Sequence, residues 1–231
     1  MTKKKSTSLP TGSGRKLKVT VKTARGRTTG QVKWLQRQLN DPYVAAARTQ
    51  GYRSRAAFKL MEMDDRHKLI PRGGRIVDLG AAPGGWTQVA VERAGPKGTV
   101  VGLDISPMEA VTGAEILHLD FLAEDAPDRL KAIMGGEADA VLSDMAAPAT
   151  GHRATDHMKI MALCEAALSF AQEVLKPGGA FVCKVQRGGT EGQLLQTMKR
   201  DFRTVAHVKP PASRADSAEM YVVALGFRGR A

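Results

Sequence analysis

The sequence is poor in cysteine, in aromatic residues and, along one stretch, in negative charge. Cys164 and Cys183 are the two cysteines among 231 residues. There is no CxxC pair, and the five histidines are scattered, so neither a zinc site nor a disulfide framework is indicated and no metal is expected. Both cysteines sit in apolar runs, ALCEAAL and AFVCKV, which suits buried, reduced thiols and a reducing compartment, the cytoplasm. No run of eighteen apolar residues reads as a membrane span. The opening MTKKKSTSLPTGSGRKLK lacks the apolar stretch of a secretory leader, so export is not expected. Aromatics make up 5% of the chain, too few for an extended platform of stacked bases.

Acid is missing where base is most abundant. Residues 1 to 40 carry eleven Lys or Arg and no Asp or Glu, which leaves 24 basic against 23 acidic residues in the remainder. The net charge of +12 therefore belongs to an appendage, and the body is nearly neutral. A basic arm of this kind attracts a polyanion through counterion release. A merely solubilising tail is the plainer explanation, and the complete lack of acids argues against it. Residues 1 to 29, rich in Lys, Arg, Ser, Thr and Gly, read as a basic arm disordered until bound. The rest, 30 to 231, reads as one domain.

Within that domain, residues 31 to 69 read as helices. A pattern opens at Gln31, Asp41-Pro42 restarts it, and a further helix runs from about Ser54, a candidate N-cap, to His67. From residue 73 the texture changes to short apolar runs alternating with helix-length segments: RIVDLG, TVVGLD, EILHLD, ADAVLSD and AFVCKV. Alternation of this kind predicts an α/β core over 73 to 231, a parallel sheet with helices on both faces. FRTVAHVK and MYVVALGF, with no helix-length segment between them, predict a terminal hairpin whose last strand runs antiparallel.

VDLGAAPGGWTQ follows the first strand and opens a helix, placing Asp78, Gly80, Pro83, Gly84 and Trp86 together in the intervening turn. Glycines permit close backbone approach to a ligand, and the helix start offers free N–H groups. The pattern does not fit the GxGxxG of dinucleotide enzymes, which disfavours a dehydrogenase. Asp104, Asp120 and Asp144 end the next three strands. Aspartates so placed can simply cap helices; four together form an acidic cleft suited to a cationic sulfonium and ill suited to a pyrophosphate. Asp104 is placed to accept from ribose hydroxyls, Asp120 from an adenine amine, and Asp144 toward the reactive end.

SRAAFKL, VDLGAAPGGWTQ, LSDMAAPATG, FVCKVQRG and KPPASRADSAEMYVVALGF, in this order, resemble the motifs of the FtsJ/RrmJ ribose 2′-O-methyltransferases. The resemblance runs from about Tyr52 to Phe227. Phe58 stands where tyrosine is common, a departure that removes a hydroxyl. The resemblance implies a Rossmann-like class I methyltransferase with a mostly parallel seven-stranded sheet and a C-terminal antiparallel strand. It also implies S-adenosyl-L-methionine as cofactor and a catalytic tetrad of Lys59, Asp144, Lys184 and Glu219. The substrate it implies is a ribose in large-subunit rRNA, a uridine of the A-loop within the 50S subunit; a monomer is the expected state. A lysine with a pKa of about 10.4 is no base at neutral pH. Lys184 is therefore either a deprotonated acceptor or a cation that orients the hydroxyl. Relatives acting on tRNA or an mRNA cap share the tetrad, and a non-catalytic assembly factor is disfavoured by its completeness.

Lys33, Arg37, Arg53 and Arg55 are the expected RNA contacts, basic residues interleaved with Trp34 and Tyr52. Trp34 itself is read as a packing residue.

Overall fold

A computed structural model describes residues 19–22, 25–148, 150–186 and 192–229. Most of the arm expected over 1–29 lies outside the described residues. Three helices come first: α1 (Thr29–Asn40), α2 (Pro42–Gln50) and α3 (Ala56–His67). There follow β1 (Arg75–Leu79), α4 (Gly85–Ala94), β2 (Thr99–Asp104), β3 (Glu115–His118), α5 (Ala126–Met134) and β4 (Ala138–Ser143). The chain continues through α6 (Arg153–Val174), β5 (Leu175–Gln186), α7 (Gly192–Asp201), β6 (Phe202–Val208) and β7 (Glu219–Phe227).

Local chemistry sets the helix starts. Thr28 and Gln31 form a reciprocal capping box at α1, two residues before the helical pattern predicted at Gln31. Asp41 caps α2 by accepting from Tyr43 N, with Pro42 in the first turn. The cap expected of Ser54 does not form. Arg55 precedes α3 with no side-chain cap, and Ser54 instead contributes its carbonyl to Ala57 N.

The sheet order is β3-β2-β1-β4-β5-β7-β6. All pairings are parallel except those of β7, which lies antiparallel between β5 and β6. The central strands are buried on both faces, as their continuous apolar runs require. Along β1, Val77 and Leu79 pack with α5, α6 and α7, whereas Ile76 packs with α2, α3 and α4. Cys164 and Cys183 are both buried and in no disulfide. This is the Rossmann-like class I architecture. Among the described residues no helix is long and apolar enough to cross a membrane, and no cluster of His, Cys, Asp or Glu could hold a metal.

Candidate active site

β1 has β2 on one side and β4 on the other, so the strand order reverses there and opens a cleft beyond their carboxyl ends. Gly80 leaves β1 with φ +80°, and a Cβ there would stand 2.8 Å from Met145 N. Only glycine lets the loops after β1 and β4 approach so closely. Gly84, at φ 110°, precedes α4, whose first-turn amides at Gly85 and Trp86 have no intrahelical acceptors. The Ala82–Pro83 bond is cis, and the Pro83 carbonyl accepts from Arg53. The Trp86 indole is buried, donates to Ala56 O and leans on Tyr221 at 5.5 Å, so its backbone is the part left for the cleft.

The carboxylates are more varied than the sequence pattern suggested. Asp78 lies inside β1 rather than in the turn and is fully buried. Its Oδ2 accepts from the Thr87 hydroxyl at 2.6 Å, and its Oδ1 has no protein partner. Burial outweighs the Thr87 hydrogen bond and, with the negative charges of Asp144 and Asp104, pushes the Asp78 carboxyl up to about 7. Asp104 ends β2 as expected and is held by Ala82 N and Ser106 N. Asp120 stands beyond the strand it was expected to end, because β3 stops at His118; it is exposed and accepts from Leu122 N. Asp144 follows β4 directly.

Lys59, Asp144, Lys184 and Glu219 come together although they derive from four elements. Antiparallel register sets Lys184 opposite Tyr221, and Gln186 opposite Glu219. Alternation then puts Glu219 on the Tyr221 face of β7, and Lys59 reaches down from α3. Lys59 Nζ lies 2.5 Å from Glu219 Oε1 and 3.2 Å from Tyr221 Oη. Tyr221 Oη donates to Asp144 Oδ1 at 2.8 Å. Lys184 Nζ donates to the same oxygen at 3.0 Å and to the Asp144 carbonyl at 2.5 Å. Ser213 Oγ adds a bond to Glu219 at 3.2 Å. Two ion pairs are thus joined through a single hydroxyl. Burial above all, then Asp144 and Glu219, raises the Tyr221 phenol well above its usual value, so it stays protonated and can keep donating. The sequence reading had not singled out Tyr221. A signal was present: it lies two residues beyond Glu219 in a strand, and a buried tyrosine hydroxyl needs a partner.

The expected RNA contacts divide. Lys33 and Arg37 are exposed on α1, Arg37 within 3.8 Å of Asp216. Arg53 is spent on backbone carbonyls of Pro83, Glu109 and Ala110; it latches the loops of the cleft. Arg55 pairs with Asp41 at 3.0 Å and donates to Ala212 O, bracing α2, α3 and the segment before β7. Trp34, read as a packing residue, is 56% exposed, because α1 buries none of its residues.

The profile of FtsJ-like methyltransferases matches residues 52–227. The chain belongs to the FtsJ-like methyltransferase family. This family member is 62% identical to "Ribosomal RNA large subunit methyltransferase E" of Parvibaculum lavamentivorans over 95% of this chain and 91% of the relative. It is 63% identical to the protein of the same name from Gluconobacter oxydans, over 91% of this chain and 78% of the relative. A Plasmodium falciparum crystal structure described as a ribosomal RNA methyltransferase superposes with a TM-score of 0.70 at 29% identity, covering 78% of this chain and 100% of that one. The FtsJ-like chain also shares its fold with a fibrillarin/Nop5p complex (TM-score 0.51, 21% identity, 73% of this chain and 81% of that one).

Proposed function

We propose that the chain catalyses S-adenosylmethionine-dependent methylation of a ribose 2′-hydroxyl in large-subunit ribosomal RNA, at a uridine of the A-loop within the 50S subunit. One observation carries the reading: two lysines and two acids joined through the Tyr221 hydroxyl into one network at the carboxyl end of the sheet. The printed names of the relatives support the rRNA substrate.

S-Adenosylmethionine, when bound, supplies an electrophilic methyl group on a cationic sulfur. The residues present fit it. The orphaned Asp78 Oδ1 offers an acceptor to a donor on the ligand. Asp104, fixed by two backbone amides, keeps lone pairs for ribose hydroxyls, and exposed Asp120 can accept from an adenine amine. Gly80, Pro83, Gly84 and the Trp86 backbone line the approach, and the acids around Asp144 favour a cation over a phosphate.

A ribose hydroxyl is a weak nucleophile, so it must be held in line and relieved of its proton; orientation can lower such barriers by about 7 to 11 kcal/mol in the best cases. Lys184 holds the 2′-oxygen, either accepting its proton or stabilising charge as it develops. Asp144 fixes Lys184 through two bonds. Lys59 and Glu219 position the ribose, and the proton inventory belongs to the whole network. Tyr221 is a positioning residue that keeps the two pairs in register.

Lys33 and Arg37 meet phosphates, while Arg53 and Arg55 act by shaping the walls. The arm at 1–29 docks rRNA, the helices over 31–69 support the core over 73–231, and the protein works as a cytoplasmic monomer. The test is incubation with methyl-labelled S-adenosylmethionine and 50S subunits, naked rRNA or tRNA, followed by mapping of the label. Label on a large-subunit ribose is expected. Label on a base, or on tRNA alone, overturns the reading.

A further inference from the structure

A helix that carries a tryptophan and two leucines and buries none of them leaves its apolar side uncovered among the described residues. On α1, Trp34 is 56% and Leu39 45% exposed. Together with Val44 and Ala47 of α2 and the turn before α3, they bound a cleft of about 380 Å³. Its walls also carry Arg48, Arg53 and Arg55 and no acidic residue. Gln38 and Arg55 are shared with a second cleft of about 400 Å³ that reaches Lys59 and Glu219. The two clefts therefore adjoin, one at the tetrad and one along α1.

We propose that the α1 cleft receives the base of an RNA nucleotide next to the one whose ribose is methylated, stacked on Trp34. The proposal rests on the RNA methyltransferase reading. A flat apolar wall edged by the exposed Arg48 suits a ligand with an aromatic face and an anionic backbone. An apolar protein helix would satisfy the leucines and leave Arg48 facing its side chains. With the target nucleotide at Lys59 and Glu219, the shared wall at Gln38 and Arg55 separates neighbouring nucleotides. Trp34 thereby fixes which phosphodiester register brings a 2′-oxygen to Lys184.

The experiment uses the full chain and 50S subunits reconstituted with large-subunit rRNA that contains the mapped nucleotide, intact or abasic at each neighbouring position. Trp34→Ala should raise KM for the intact subunit roughly tenfold with kcat unchanged, an effect within the range of base–aromatic stacking, and Trp34→Phe should restore most of the loss. An abasic site at the stacked neighbour should weaken wild type by the same factor and add nothing to Trp34→Ala. An unchanged KM, or full additivity at every neighbour, overturns the proposal. A separate readout needs no catalysis: single-stranded oligouridylate should quench the emission of exposed Trp34 in wild type and not in Trp34→Phe. If wild type methylates no RNA yet quenching persists, the functional reading fails and the base site survives; absence of quenching defeats the base site.

Discussion

The network around Tyr221 and the surface of α1 are built from similar residue types and differ in how they are held. Around Tyr221 two lysines, two acids and the phenol are bonded to one another within the protein, and the register of β5 against β7 sets the positions. Along α1 the cations face solvent, and the helix is secured by its capping box and by side chains of Gln36 and Asn40 bonded to Val19 and Val21. Buried polar groups left unpaired are costly, so the first region tolerates one arrangement. Exposed ion pairs such as Arg37 with Asp216 contribute about 0 to 1 kcal/mol, so the second can adapt to what it binds. Chemistry is placed where the protein is determined, and recognition where it is permissive.

The largest expected break in this contrast is Lys184→Ala. It should reduce methyl transfer at least a thousandfold while S-adenosylmethionine binding, measured by calorimetry, stays near wild type; appreciable turnover would remove Lys184 from the reaction. Tyr221→Phe keeps the ring against Trp86 and deletes the joint between the two ion pairs. We expect kcat to fall ten- to a hundredfold with KM for RNA little changed. Denaturant unfolding should show a stability loss of about 1 to 3 kcal/mol, the cost of unpairing buried partners.

Next comes Asp78, whose folded pKa of about 7 exceeds its unfolded value of about 3.9. The folded state holds the proton more tightly between those values, so this group's contribution to stability is fullest below pH 4 and is lost as pH rises toward 7. Asp78→Asn should flatten the fall in unfolding free energy over that window. An unchanged slope would show that the carboxyl is not perturbed. Glu62 and Asp64, also raised chiefly by burial, act in the same sense, so flattening should be partial. The smallest effect belongs to α1. Lys33→Ala or Arg37→Ala should raise KM for rRNA a fewfold and make its dependence on log salt shallower by roughly 0.7 to 0.9 per charge removed, with kcat unaffected. A drop in kcat would show that α1 is not separable from the chemistry.

The sequence was informative where function resides in contiguous motifs. Asp144, Lys184 and Glu219 were each named from the stretch around them, and the alternation of strands and helices predicted the sheet. It was least informative where the deciding partner is distant. Tyr221 escaped notice because nothing in EMYVVALGF reveals that Asp144 and Lys59 meet its hydroxyl. Arg53 and Arg55 looked like RNA ligands until the carbonyls of Pro83, Glu109, Ala110 and Ala212 claimed them. Trp34 was read as packed because helical spacing says which face is apolar and not whether anything covers it. Ser54 has a capping residue's chemistry, but the helix starts too late to use it.

By itself, then, the sequence determined the elements, the glycines that close the β1–α4 turn, and the residues capable of the chemistry, since these depend on local backbone preference and side-chain type. Only the tertiary structure decided which charges neutralise one another, that β7 inserts between β5 and β6, and that α1 keeps its apolar side open among the described residues. Those outcomes follow from burial and pairing between segments up to 162 residues apart, and the cost of an unpaired buried group is set by neighbours that no local pattern contains.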